Sequence, residues 1–313
     1  MRIAVIGAGG VGGFFGGRLA QAGEDVTFLV RGATLRALQA DGLHIETPDG
    51  HIAVRPKATD DPAGVGAVDL VVLGVKAWQV PEATRAARPL IGPSTVVLPL
   101  QNGVEAADQA AAEVGREHVI GGLCYVVAFV TAPGHVKSRP GVEPTVAFGE
   151  FDNRPSDRVR RLQELFVHAG VKVVVPPDIL AALWSKFLFI AAFGGVGAVT
   201  RAPIGAVRQI PETRAMLEQA MQEVQALALA RGVALPANAA VEAMARLDGA
   251  APGATASMQR DIMDGRPSEL ESHSGAIVRL AAQAGIETPL HQFIYQSLLP
   301  SERRARGEIS FPA

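Results

Sequence analysis

The chain has 313 residues, enough for two domains at about 150 residues each. Hydrophobic residues make up 48% and charged residues 19%, which excludes a disordered or highly charged chain; aromatics are only 5%, so Ala, Val, Leu and Gly do most of the packing. Lys and Arg number 29 against 31 Asp and Glu, and a net charge of −2 offers no overall positive field for a phosphate backbone, so nucleic acid is not an expected partner.

The N-terminal run MRIAVIGAGGVGG is apolar for too few residues to be a signal peptide and breaks into glycines rather than a cleavage site, so it reads as a strand. Up to about residue 120, short β-rich runs alternate with helical patterns, the signature of a parallel sheet with crossover helices. Strands are predicted at residues 2–7, 25–31, 69–75 and 95–101, each almost continuously apolar, as a strand covered on both faces should be. Between the second and third, LHIETPDGHIAVRPKA alternates around Pro48-Asp49-Gly50 and predicts an inserted hairpin. Further β-type segments at 119–130, 135–137, 145–148 and 171–175 are expected to extend the sheet. Beyond Pro176-Pro177 the pattern changes to long helices, among them 213–231 and 268–284, with no convincing strand, which places a domain boundary there. The apolar stretch 179–199 is interrupted by Lys186, leaving too few apolar residues on either side for the roughly 20 that a hydrocarbon layer of roughly 30 Å needs. It reads as a buried helix, and no membrane is expected as a partner. The arginine-rich end, residues 301–313, reads as partly disordered. The single cysteine, Cys124, excludes an internal disulfide framework and a multi-Cys metal site, fits a reducing cytoplasm, and reads as a core residue of an apolar strand. The seven histidines show no metal-ligand spacing.

Directly after the first strand comes Gly7-Ala8-Gly9-Gly10-Val11-Gly12, opening a helix predicted over residues 11–22. This matches G-x-G-x-x-G in its strand–turn–helix setting: Gly7 permits the tight turn, Gly9 lets a pyrophosphate approach the backbone, and Gly12 lets helix and strand pack closely. The helix N-terminus then presents unpaired N–H groups and a positive dipole end to the phosphates. Residues 1–176 are therefore expected to form an α/β dinucleotide-binding domain of Rossmann type, and residues 177–313 an all-α domain. The second strand ends Phe28-Leu29-Val30-Arg31, with Arg36 a little further on, where an NAD site usually carries Asp or Glu. A carboxylate repels a 2′-phosphate and a guanidinium bonds it bidentately, so the expected cofactor is NADP(H). The lesser alternative is that Arg31 is simply a solvated strand-end residue.

Four more stretches enter together: Val75-Lys76-Ala77-Trp78-Gln79, Leu100-Gln101-Asn102-Gly103, Trp184-Ser185-Lys186, and Ser257-Met258 through Glu269. With the glycine turn and Arg31 they resemble the ketopantoate reductase (2-dehydropantoate 2-reductase) family, along the length of the chain. The resemblance implies NADPH-dependent reduction of a small 2-oxo acid to a 2-hydroxy acid, in a cleft between a Rossmann domain and a helical one, in a cytoplasmic enzyme that forms a homodimer. It implies that Lys186 donates the proton to the carbonyl oxygen, that Asn102 bonds near the nicotinamide and the carbonyl, and that Ser257 helps hold the substrate carboxylate. Glu269 would orient the lysine and bond substrate, and Lys76 and Gln79 would line the cofactor side, with Gly10 and Val11 beside the glycine turn.

The residues also speak for themselves. Lys186 follows the apolar run 179–184 and precedes Phe187-Leu188-Phe189-Ile190, so its helix is hydrophobic nearly all round. Burial disfavours the charged form of an amine and brings its proton closer to transferable at neutral pH, which suits a general acid. A snorkelling or salt-bridged lysine is the alternative. Ser268 and Glu271 have capping-box spacing, which explains Glu271 structurally and leaves Glu269 as the candidate for the site or as an ordinary first-turn acid. Asn102-Gly103 lies just beyond a parallel strand's C-terminal end, where ligands bind in open α/β sheets, though Asn-Gly is also an ordinary turn. His273 reads as structural or as part of the rim.

The chain departs from the family where asparagines commonly stand four and eight residues after the lysine, here Ile190 and Gly194, and three before Ser257, here Ala254. Spacings of four and eight keep Ile190 and Gly194 close to the face of Lys186, so the wall beside the acid lacks two amides. This suggests a 2-oxo acid with a more apolar side chain. An imine substrate and a non-catalytic NADP(H)-binding sensor are the competing readings.

Overall fold

The computed structural model describes residues 1–311, in two compact units: residues 1–101 with 105–179, and residues 102–104 with the chain from Leu180 onward. The first unit holds strands β1 (Arg2–Ile6), β2 (Asp25–Leu29), β3 (Leu43–Thr47), β4 (Gly50–Val54), β5 (Lys57–Thr59), β6 (Val68–Leu73), β7 (Ile91–Pro99), β8 (Gly121–Tyr125), β9 (Ala128–Ala132), β10 (His135–Ser138), β11 (Thr145–Gly149) and β12 (Lys172–Val174). Its helices are α1 (Gly10–Gln21), α2 (Gly32–Ala40), α3 (Pro62–Val65), α4 (Val80–Ala86), α5 (Ala106–Val114) and α6 (Asp157–His168). An all-parallel sheet in the order β5-β2-β1-β6-β7 forms its centre. β1 and β6 are buried almost end to end because the sheet is covered on both faces, which is why their sequences lack alternation.

Around that sheet the arrangement differs from a simple extension. The predicted hairpin is β3–β4, whose strands pair from Leu43 with Val54 to Thr47 with Gly50, while Lys57–Thr59 leaves it to become the edge strand β5 of the main sheet. The segment 119–130 divides into β8 and β9, and the later strands form two other sheets, β4-β3-β10-β9 and β12-β11-β8. Among the described residues only an isolated bridge, Val97 with Val119, joins the last of these to the main sheet.

The physical reason lies in α1, which has glycine on two faces. A Cβ on Gly16 would meet the Phe28 ring at 2.5 Å, on the side of the main sheet. A Cβ on Gly13 would meet Val136 at 2.7 Å, and one on Gly17 would run into Ile45, both on the second sheet. The helix is thus thin enough to lie between two sheets, at a propensity cost of roughly 1 kcal/mol per interior glycine that packing must offset.

The second unit is helical: α7 (Ile179–Thr200), α8 (Ile204–Gln209), α9 (Pro211–Ala230), α10 (Ala239–Asp248), α11 (Ser257–Met263), α12 (Ala276–Ala284) and α13 (Pro289–Ala305), with a π-helical turn over Glu271–Gly275. Among the described residues α7 alone is long and apolar enough to span a bilayer. Its Phe187, Leu188, Ala191, Ala192 and Val196 lie in the core of this unit, which accounts for its composition. The expected disorder of residues 301–313 does not hold where the chain is described: α13 continues to Ala305 and Glu302 is buried; Pro312 and Ala313 lie outside the described residues.

Buried polar groups tie these helices together. Glu223 of α9 accepts the N–H groups of Leu290 (2.9 Å) and His291 (3.0 Å), satisfying the first turn of α13 with a negative charge at the positive end of its dipole. The fully buried His291 ring faces the Ala220 carbonyl through Nε2 at 3.1 Å, so that nitrogen carries the proton, and Nδ1 accepts from Ser274 Oγ at 3.3 Å. Burial of the ring lowers its pKa from 6.5 to about 4, and nearby His273 also disfavours a charge, against the raising effects of the Ala220 hydrogen bond and Glu223. Below pH 6.5 the unfolded ring takes up a proton that the folded ring refuses, so this contribution is complete above the unfolded pKa and is lost as pH falls toward about 4. Urea unfolding should therefore show stability falling from pH 7 to pH 5, by up to about 2 kcal/mol from this residue. His291→Gln should be less stable at pH 7 but flatter across that range; an unchanged slope would assign the effect elsewhere.

Candidate active site

The first unit presents its glycine turn at the C-terminal edge of the parallel sheet, between the strands running outward on either side of β1. Gly7 has φ +90°, a conformation that favours glycine. A Cβ on Gly12 would collide with the Gly7 carbonyl and stand 3.2 Å from Gly74 Cα, so helix and strands meet backbone to backbone. At Gly9 an added Cβ would meet nothing closer than the Gly74 carbonyl at 3.7 Å, which leaves room in front of the helix. Gly9 is the N-cap of α1 and makes no side-chain cap bond, and the first turn carries no acid, so nothing competes with an incoming anion for the helix dipole. These residues fit a dinucleotide pyrophosphate. Gly10 has a separate structural reason, since a Cβ there would strike the Ala128 carbonyl of β9.

Arg31 caps α2 at the end of β2, with its side chain 73% exposed and 3.7 Å from the equally exposed Glu82. Such a pair is worth little and leaves the guanidinium able to turn. After β6 the loop is a 3₁₀ turn at Ala77–Gln79: the Gln79 Oε1 accepts the Lys76 N–H at 3.1 Å, and the Lys76 ammonium lies over the Trp78 ring at 5.7 Å. Lys76 and Gln79 are both exposed. Gln101, unassigned by the sequence reading, braces this loop with its buried Nε2, donating to the carbonyls of Leu73 (2.8 Å) and Val75 (3.0 Å).

The second unit gathers the other predicted residues. Lys186 is 8% exposed on α7, and Glu269, just before the π-helical turn, is 6% exposed. Asn102 clusters with this unit and donates from Nδ2 to Glu269 Oε2 at 3.1 Å, a contact across 167 positions of sequence. His273 Nε2 lies 4.0 Å from the same oxygen, and its ring meets Phe187, the neighbour of Lys186, edge-on at 6.1 Å. The glutamate turn and the lysine helix are thus adjacent. Ser257 opens α11 and is exposed; the next residue, Met258, packs against α7, its Cε 3.3 Å from where Gly194 would carry a Cβ. The Met258 methyl fills the space an amide at 194 would need, and with half-buried Ile190 it makes that face apolar.

Two family models match the chain: Ketopantoate reductase PanE/ApbA over residues 3–153, and Ketopantoate reductase PanE/ApbA C terminal over residues 178–301. The chain belongs to the ketopantoate reductase family. It is 32% identical over 311 residues to 2-dehydropantoate 2-reductase of Mesorhizobium japonicum, covering 92% of this chain and 94% of that one. It is 30% identical over 301 residues to YkpB of Bacillus subtilis, described as an uncharacterized oxidoreductase, covering 95% and 98%. The crystal structure of a PanE/ApbA family ketopantoate reductase from Ralstonia eutropha superposes with a TM-score of 0.88 at 31% identity, over 98% of this chain and all of the other. D-mandelate dehydrogenase bound to NADH and anilino(oxo)acetate shares the fold at 21% identity and a TM-score of 0.87 over 98% of this chain and 99% of that one.

Within this family member the predicted capping box is absent. The Ser268 N–H goes to Glu302, and Glu271 pairs instead with Arg279 and with the Tyr295 hydroxyl at 2.7 Å. Sequence spacing alone could not reveal that a residue 34 positions away would take the N–H. Gln259, also missed, is fully buried and seats α11 by donating to the Ala202 carbonyl at 2.9 Å and accepting the Ala256 N–H at 3.2 Å. Its place three residues after Ala256 was the available signal.

The glycine geometry separates binding from folding. Gly9→Ala should leave Tm within about 2 °C of wild type and weaken dinucleotide binding, because its Cβ enters open space. Gly12→Ala should lower Tm by several degrees at the cost of an overpacked core, on the order of 1–3 kcal/mol. Differential scanning fluorimetry with and without dinucleotide checks both; a Gly9→Ala protein with unchanged affinity would remove Gly9 from the cofactor cradle.

Proposed function

We propose that this protein reduces a 2-oxo acid to the corresponding 2-hydroxy acid with NADPH, and that the substrate is 2-dehydropantoate, the product pantoate. The observation that carries this reading is the burial of an amine, Lys186, and of a carboxylate, Glu269, on adjacent elements of the helical unit, with Asn102 donating a hydrogen bond to the carboxylate. A surface role explains neither charge, since burying one costs free energy unless its chemistry or its partners repay it.

The reaction needs a hydride at the carbonyl carbon and a proton at the carbonyl oxygen. NADPH, when bound, supplies the hydride. Gly7, Gly9, Val11 and Gly12 would hold its pyrophosphate, Arg31 would bond its 2′-phosphate, and Lys76 and Gln79 would line the loop beside it. Lys186 gives its Nζ proton to the carbonyl oxygen, and before that transfer its positive charge stabilises the negative charge developing there. Glu269 orients the amine and accepts a hydrogen bond from substrate, with Asn102 keeping its carboxylate in one direction. Ser257, exposed at the start of α11, bonds the substrate carboxylate. The single thiol, Cys124, is buried and forms no disulfide, which agrees with a cytoplasmic enzyme.

A second reading concerns the substrate alone. Met258 fills the space above Gly194, and Ile190 stands one turn after Lys186, so this wall offers no amide to a substrate hydroxyl. A site without hydroxyl partners discriminates weakly in favour of a hydroxylated acid, and this favours a more apolar 2-oxo acid.

Following NADPH absorbance at 340 nm with 2-dehydropantoate, 2-oxoisovalerate and a cyclic imine separates the readings. A higher kcat/KM for 2-dehydropantoate supports the first, a higher value for 2-oxoisovalerate the second, and no turnover with any of them leaves a dinucleotide-binding protein of another kind. Lys186→Ala should lower kcat by about 10²- to 10⁴-fold and leave NADPH affinity within about twofold. Arg31→Ala should weaken NADPH at least about tenfold while sparing NADH, read by fluorescence titration, since it removes a charge-assisted pair; an unchanged ratio would reassign cofactor choice.

A further inference from the structure

Glu269 is held from both sides along the chain. On its C-terminal side its carbonyl accepts the His273 N–H at 3.0 Å, and its carboxylate meets Asn102. On its N-terminal side the residue before it, Ser268, is fully buried, and its polar groups are taken by the far end of the chain. Both oxygens of Glu302 lie 3.1 Å from the Ser268 N–H, and Glu302 Oε2 accepts from Ser268 Oγ at 2.5 Å. Arg306 donates from Nε to Glu302 Oε1 at 2.7 Å and from Nη2 to the Ser268 carbonyl at 3.0 Å. Ser268 Oγ in turn accepts the Leu270 N–H at 3.2 Å, on the other side of Glu269. The backbone on both sides of Glu269 is thereby tied to the last turn of α13.

We propose that Glu302 is a positioning residue for the reduction: with Arg306 it clamps Ser268 and so fixes the direction in which Glu269 presents its carboxylate to Asn102. This rests on the reading of Glu269 given above. Glu302 is 4% exposed. A buried ion pair is a poor source of stability, and an apolar pair of the same shape packs as well or better. What a carboxylate provides is orientation, because several directed hydrogen bonds fix one peptide in one attitude. The match to the family's C-terminal model ends at residue 301, one position before Glu302, so Glu302 and Arg306 lie outside the segment the family model matches while Ser268 lies within it.

Glu302→Gln keeps size and removes one acceptor oxygen and the charge, so the Ser268 and Arg306 donors cannot all be met. It should lower kcat by about ten- to a hundredfold, the scale of a small misplacement of a reacting group, with NADPH affinity unchanged. The same change made in Glu269→Gln should cost less than about twofold, because the group being positioned is already disabled. An equal loss in both backgrounds would show a general structural role and overturn the proposal. Hydrogen exchange supplies a readout independent of substrate: amides of residues 268–275 should exchange at least about tenfold faster in Glu302→Gln, with α7 and α9 unchanged. Unchanged exchange at that turn overturns the clamp even if the wild-type protein reduces no 2-oxo acid, an outcome that would refute the functional reading separately. If Glu302→Gln does not fold, Ser268→Ala, which removes only the hydroxyl from the clamp, should show the same pattern at smaller amplitude, and its absence overturns the proposal equally.

Discussion

A lysine and a glutamate, each with less than a tenth of its surface exposed, sit in a helical unit built around a large aliphatic and aromatic core. Neither charge survives such burial without directed partners, so much of the surrounding structure reads as their consequence. Asn102 joins the helical unit rather than the sheet it follows in sequence, and its amide reaches the glutamate. The chain around Glu269 leaves ordinary α geometry for a π-helical turn, a local irregularity frequent at functional sites. His273 projects from that turn against Phe187 and toward the glutamate, and Ser274 reaches His291, so the turn is anchored on both the α7 and the α13 side.

Glycine does a second job in both units. In α1 it thins a helix so that two sheets approach it, and in α7 it does the same for helices. Gly194, Gly195 and Gly197 admit Met258, Ile294 and the Gln259 amide. Eight to eleven residues beyond Lys186, α7 thus becomes a surface against which side chains of α11 and α13 are seated. The same close approach replaces an amide with a methionine methyl beside the acid, so packing and substrate choice are coupled at Gly194.

The parallel strands, the glycine turn and the buried character of α7 were legible in the sequence, because each follows from a local pattern: an unbroken apolar run, a G-x-G-x-x-G spacing, an all-round hydrophobic helix. So were Lys186 and Glu269 as unusual residues, the first as the one charge in an apolar run and the second as an acid that the Ser268 spacing did not explain. The partition of the later strands was not legible. An apolar segment such as 121–125 states that it is buried, but not which sheet buries it; that depended on which strands α1, bare on two sides, could hold apart.

Local sequence also proposed a cap that tertiary structure replaced. Ser268 and Glu271 have the right spacing, but a carboxylate arriving from α13 with its own arginine competes for the same N–H, and the charge-assisted pair prevails over the local one. The end of the chain, polar and rich in arginine, reads as loose for the same reason: its partners lie 34 to 38 positions earlier and leave no periodic trace nearby. By itself the sequence determined which groups are greasy, which are charged and where the backbone must turn tightly, since those are properties of single residues and short spacings. Which oxygen each N–H finds, and therefore where Glu269 points, was decided only when distant segments met, because a hydrogen bond depends on position and direction that no short stretch encodes.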